Sequence, residues 1–265
     1  MWWNPYLSVS ANKRNLIGAL SIVTVLALWS FLSGFEVVSP VKLPPPWTTA
    51  QALIRLMWDV DRGESMLLEA ILWSTGRVAV AGILVVFVGV PIGVLMGASP
   101  RINAALSPLV DPLRSAPAAA FLPIVIMWLG IEEGSKIAFL FLGSIFYLIP
   151  MTRDAIKAVP QNYWISAYDL GATPFEAVMK AVVPMAKPRI ADAINVSVSI
   201  MWTYITVAEY MNAKRGLGQI IQHGRQSSSM ATVLAGVLVI IAVALVTYWV
   251  MSAIKKKLYP WEVEG

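Results

Sequence analysis

Four residues of this 265-residue sequence put a formal charge inside an apolar neighbourhood: Arg77, Asp111, Arg114 and Glu209. An ionisable group at membrane depth is costly, and it marks an ion or solute route unless it finds a partner or reaches the surface. Arg77 could face an anion path, or it could snorkel, with its stem in lipid and its head at the membrane surface. Asp111 and Arg114, three apart, could pair with each other. Glu209 ends the most polar of the apolar runs, which also holds Trp202, Thr203, Tyr204 and Thr206. Those side chains either line a path or pack helix against helix, both of which are common between membrane helices.

Other chemistries find no residues to perform them. His223 is the only histidine, and no Cys, His or carboxylate stands at ligand spacing from it, so a metal centre is not expected. The absence of cysteine excludes disulfides and thiolate sites. The stretch 130–136 lacks the glycine and Gly-Lys spacing of a phosphate-binding loop, and no serine is accompanied by a base and an acid. The chain is therefore expected not to be an enzyme and to carry no cofactor of its own.

The elements that must position these residues are apolar helices. The sequence is 58% hydrophobic and 13% charged, with mean hydropathy +0.70, far from the composition of a soluble domain. Apolar runs near 16–32, 67–98, 102–130, 137–159, 190–211 and 231–254 predict a polytopic all-α bundle of about six spans. The last, at about 1.5 Å per residue, is long enough for roughly 30 Å of hydrocarbon. The first is read as an uncleaved span rather than a signal peptide. The third is interrupted by Pro108, Pro112, Pro117 and Pro123, a broken span that has to be buried in protein or line a cavity. Trp47 to Trp58 predicts a short helix lying in the interface. Gly89, Gly93 and Gly97 share one helix face and invite close approach of a neighbour, and Pro91 should bend that helix.

Gln161 to Pro184 is the one long polar-accented hairpin. A helix over about Tyr163–Leu170 is expected to end at Gly171, where a left-handed backbone suits glycine. Thr173, Pro174 and Glu176 then have the spacing of a capping box with proline at the first helical position. Phe175, Val178, Met179, Val182 and Val183 form an apolar stripe, Glu176 and Lys180 an ion pair, and Pro184 closes the segment.

At Ala167, Gly171 and Pro184 this hairpin resembles the cytoplasmic loop of ABC-importer permeases, with Ser166 replacing one alanine and Ile165 standing where the family prefers glutamate. LRSAPAAAFLP (113–123), MWTYITVAEY (201–210) and LYPW (258–261) are similar to stretches of the nitrate, sulfonate, taurine and bicarbonate group, and the resemblance covers Leu67 to Trp261. It implies a type I importer permease fold, a single permease domain over 1–265 with its core at 67–254, and a coupling hairpin at 161–184. The coupling residues it implies are Ala167, Asp169, Gly171, Ala172, Thr173, Glu176 and Pro184. The path residues are Arg77, Arg114, Trp202, Thr203, Tyr204, Thr206 and Glu209. It further implies a homodimer, two ABC ATPase subunits that bind ATP and Mg, a periplasmic or lipid-anchored solute-binding protein, and a small anionic solute.

Charge placement predicts the orientation. The net charge of +5 comes from Lys and Arg dispersed beside apolar spans, which reads as a topology signal in an inner-membrane protein surrounded by lipid rather than as a nucleic-acid surface. Eleven of the twenty Lys and Arg fall on the side of the termini and the hairpin, which is therefore expected to be cytoplasmic. An ion-coupled secondary transporter or a membrane scaffold without transport activity are the alternative readings; the former would need partnered titratable groups deep in the spans and inverted repeats.

Overall fold

The computed structural model describes residues 10–57, 66–210 and 215–262. Trp58, Arg62 and Lys214 lie outside them. The chain divides into two compact units, one formed by Met1–Met66 and Ile221–Val237 and the other by Leu67–Ile220 and Leu238–Gly265.

In the first unit, α1 (Ala11–Gly34) is apolar all round and leaves Leu16, Ile17, Leu20 and Val23 more than half exposed. A helix of that kind must be solvated by lipid. Its last turns are tied to the following prolines: Trp29 Nε1 donates to the Pro44 carbonyl at 3.0 Å and Ser33 Oγ to that of Leu43 at 2.7 Å. The next helix, α2 (Pro46–Met57), buries Thr49 and exposes Trp47, Ala50, Ile54 and Met57 along one stripe. That is the face an interfacial helix turns to the headgroup region.

The second unit is built on a long helix, α3 (Met66–Ala98), followed by α4 (Pro100–Leu113), a 3-10 turn at Ala118–Phe121, α5 (Leu122–Leu129) and α6 (Glu133–Lys157). The glycine stripe of α3 meets α6. A Cβ on Gly89 would lie 3.1 Å from Leu148, one on Gly93 2.7 Å from the Ile149 carbonyl, and one on Gly97 2.6 Å from Ile156. Both residue numbers rise together, so α3 and α6 run parallel, and α4 and α5 must return across the bundle between them. The chain bends by 94° within this pair, where the prolines of the sequence had predicted a broken span. Pro91 sits inside an unbroken α3.

After α6 come α7 (Gln161–Asp169) and α8 (Pro174–Ala177), a π-helical turn at Val178–Val182, and α9 (Val183–Tyr210). Two expectations are corrected here. Pro184 does not close the segment: Val183 donates its amide to Val178, five residues back, and the wide turn leads into a helix that continues through Pro184 and Pro188. The stripe from Phe175 to Val183 does not share one face either. Val182 is buried among Ala155, Ile156, Ala186 and Ile190, while Phe175 and Met179 stay exposed, because the extra residue of a π turn rotates what precedes it.

Pairs between Phe139 and Tyr204 and between Ile156 and Ala186 show that α9 runs antiparallel to α6. Beyond it, α10 (Leu217–Gln226) makes a helix of the polar stretch before α11 (Met230–Leu258). Asn195 donates to Ser252 and Lys255 pairs with Asp192, so α11 is antiparallel to α9. Among the described residues five helices are long and apolar enough to cross a membrane, six crossings with the bent pair.

Candidate functional site

Two ends of the second unit carry polar constellations. At one end is the hairpin. Its first helix ends in a Schellman motif: the Ala172 amide donates to the Ala167 carbonyl at 3.1 Å and the Gly171 amide to that of Tyr168 at 2.9 Å, with Gly171 at φ +90°. Thr173 Oγ1 then accepts from the Glu176 amide while the Glu176 carboxylate accepts from the Thr173 amide and hydroxyl, a complete capping box. Lys180 adds the expected ion pair at 2.7 Å. Asp169 ends α7 and is exposed. Trp164 stacks on Tyr168 and packs against the core, rooting the hairpin. Its tip is apolar yet uncovered, with Leu170 89% and Phe175 71% exposed.

At the other end Arg77 and Glu209 meet, each almost wholly buried. Glu209 Oε1 accepts from Arg77 Nη1 at 2.6 Å and from Ser74 Oγ at 2.7 Å, and its Oε2 accepts from the Gly218 amide at 2.7 Å. Arg77 also grips Glu133 through Nε and Nη2, and donates to the Arg215 carbonyl. Lys136 completes the cluster on Glu133, and Arg215 pairs with Glu69. The Trp73 ring lies 5.6 Å from the Arg77 guanidinium and 5.4 Å from that of Arg215. Every nitrogen of Arg77 is thus engaged, and its charge is matched within the protein. It does not snorkel: four of its five N–H groups are held by partners inside the bundle.

The remaining sequence candidates separate by face. Trp202 is buried. Tyr204 is half-buried and faces Phe139 edge-on. Thr203 is exposed and Thr206 half-buried, and they fall on a stripe of α9 with Asp192, Val196, Ser199 and Tyr210, at spacings of three and four. Ser199 and Tyr210 share that period and were not among the sequence candidates. A polar stripe exposed on a membrane span faces water or another protein rather than lipid. Arg114 is exposed at the bend after α4. The pairing of Asp111 with Arg114 is not found: Asp111 accepts from Arg153 of α6 at 2.9 Å, a bond that fastens α4 to α6. Among the described residues no group of three metal-ligating side chains occurs.

Residues 89–259 match the family model described as binding-protein-dependent transport system inner membrane component. The taurine transport system permease protein TauC of Escherichia coli (strain K12) is 31% identical over 94% of this chain and 90% of its own length. The aliphatic sulfonates transport permease protein SsuC of Bacillus subtilis (strain 168), described as putative, is 31% identical over 92% and 87%. A solved structure titled as inward facing conformations of the MetNI methionine ABC transporter has a chain that superposes with a TM-score of 0.66 at 21% identity, covering 72% of this chain and 95% of that one. That likeness is one of fold, the all-helical fold of type I importer permeases. With the family model covering well over half of the sequence, the chain belongs to the binding-protein-dependent transport system inner membrane components, the permeases of ABC importers.

Proposed function

We propose that this permease acts as a homodimer and forms the path for a small anionic solute of the sulfonate, bicarbonate or nitrate class. ATP and Mg are bound and used by two ABC ATPase subunits, and the solute is delivered by a periplasmic or lipid-anchored solute-binding protein. The solute class rests on relatives named for taurine, aliphatic sulfonates, bicarbonate and nitrate. The hydroxyl stripe of α9 (Ser199, Thr203, Thr206) supplies the path surface, and Arg114 the exposed cation. The hairpin and both termini are cytoplasmic, and transport proceeds by alternating access between two states that partner binding biases.

The observation that carries this reading is the uncovered apolar tip of a hairpin fixed by caps at both of its turns. Large apolar side chains exposed on a rigid knob outside the membrane mark a protein-docking surface. The alternative of ion-coupled transport is disfavoured by the cluster around Arg77, where the buried charges saturate one another at the bundle's end instead of standing at mid-depth. The test is the double variant Leu170→Glu, Phe175→Glu. It should insert normally but release the co-purifying ATPase, with affinity lowered by at least ~30-fold, about 2 kcal/mol. ATP-driven uptake at the unaltered rate in membrane vesicles would refute it.

A further inference from the structure

We infer that Glu209 is a positioning residue: its carboxylate fastens the start of α10 to α9, so that α10 moves as one body with the helix that leaves the hairpin. The inference rests on the functional reading above for what drives that motion. The fastening itself stands on geometry.

The helical run from Pro174 to Tyr210 is 37 residues long. At 1.5 Å per residue it is a rod of about 55 Å. Its first turn is the capping box of the hairpin and its last holds Glu209. Two prolines that would ordinarily break such a rod are carried inside it, the first directly after the π turn. The hairpin and the opposite end of the unit are thus joined by one continuous helical run.

There the carboxylate meets the opening turn of α10. The first amides of a helix have no intrahelical acceptor, and its N-terminus favours negative charge. Glu209 takes the Gly218 amide directly, and Ser74 takes the Leu217 amide at 2.9 Å while donating its own proton to Glu209. Gly216 stands at φ +127°, and a Cβ there would lie 2.6 Å from Arg77 Nη1 and 2.7 Å from Glu209. One on Gly218 would lie 2.6 Å from the Glu209 Cβ. Glycine at both positions lets the turn come close enough for the carboxylate to serve as its cap. Arg77 neutralises that carboxylate, and Glu133, with Lys136 beside it, holds Arg77 in place; Arg215 and Glu69 complete the charged groups around the cluster. Breaking a buried pair of this kind leaves a charge without a partner, so the cluster holds together or opens as a whole.

The chain has no cysteine, so a pair of spin labels can be placed cleanly at Met185 near the base of the rod and Gln219 in α10. In lipid nanodiscs the labelled protein, diluted into an excess of unlabelled protein so that only the separation within one chain is read, should show one narrow separation. In complex with its ATPase that separation should be the same with and without a non-hydrolysable ATP analogue. In Glu209→Gln, which keeps the side-chain shape but lacks one acceptor oxygen, the distribution should broaden. The solute carried per ATP should fall by roughly 2- to 30-fold. Ser74→Ala removes both the donor to Glu209 and the acceptor for Leu217, and gives the same reading if Glu209→Gln fails to insert. A separation in the unaltered protein that changes with nucleotide would overturn the inference, as would variants with an unbroadened distance or an unchanged yield of solute per ATP. Absence of ATP-driven uptake by the unaltered complex would instead remove the functional reading, and the distance in nanodiscs would still decide the fastening.

Discussion

Gly171 isolates a backbone effect from packing. Its φ is +90° and nothing lies within 4 Å of where a Cβ would stand, so a substitution meets no neighbour and feels only the left-handed conformation. Gly171→Val should destabilise the hairpin by about 1–2 kcal/mol, whereas Gly171→Asn, whose side chain tolerates that region, should cost much less. Limited proteolysis of the hairpin in intact membranes reads the difference; equal cleavage of the two variants would mean that the joint is not held as described. This residue was legible in the sequence because its determinants are local: the Schellman turn and the capping box Thr173–Glu176 span a few positions. Glu209 was not legible in the same way. The residues that decide its role, Ser74 and Arg77, are 135 and 132 positions away, and no local spacing announces them. Asp111 was misread for the same reason, since Arg114 stood three positions off while its actual partner, Arg153, is 42 away.

For whole helices, period told more than punctuation. The four-residue spacing of Gly89, Gly93 and Gly97 identified a close-contact face on α3, although nothing in the spacing said that α6 would occupy it. Punctuation misled at Pro184, because the rule that proline ends a helix assumes bonds four residues back, and the π turn before it replaces one of these by a bond of five. The glycine contact makes a graded prediction. A Cβ at Gly93 would fall 2.5 Å from Thr152 Cβ and 2.7 Å from the Ile149 carbonyl, atoms that cannot move without moving α6. Gly93→Leu should therefore force the two helices apart at a cost of about 1–3 kcal/mol or more. Gly76→Ala in the same helix meets nothing within 4 Å and should be neutral or stabilising, since alanine costs less chain entropy in a helix. Thermal unfolding in detergent compares them, and equal midpoints would contradict the packing.

Across the second unit as a whole, helix direction fixes which segments share a side. Because α3 and α6 are parallel, and α9 is antiparallel to α6 and α11 to α9, the turn at Ser99–Arg101, the hairpin and the end of α11 lie at one end. That end carries Arg101, Arg153, Lys157, Lys180, Lys187, Arg189 and Lys255–Lys257, whereas the opposite end of the unit has only Arg77, Lys136 and Arg215 as basic side chains among its described residues. A short membrane-proximal segment rich in Lys and Arg stays on the cytoplasmic side, so the hairpin end should face the cytoplasm. Helix α10 starts at the opposite end, and its ten residues reach only about 15 Å, too little to cross the hydrocarbon. His223, within it and exposed, is therefore expected on the outer side. In this cysteine-free chain a single His223→Cys should react with a membrane-impermeant thiol reagent added to intact cells, and a single Glu176→Cys only after the membrane is opened. Reversed labelling would invert the orientation, and labelling of both from outside would break the alternation of spans on which the shared end depends.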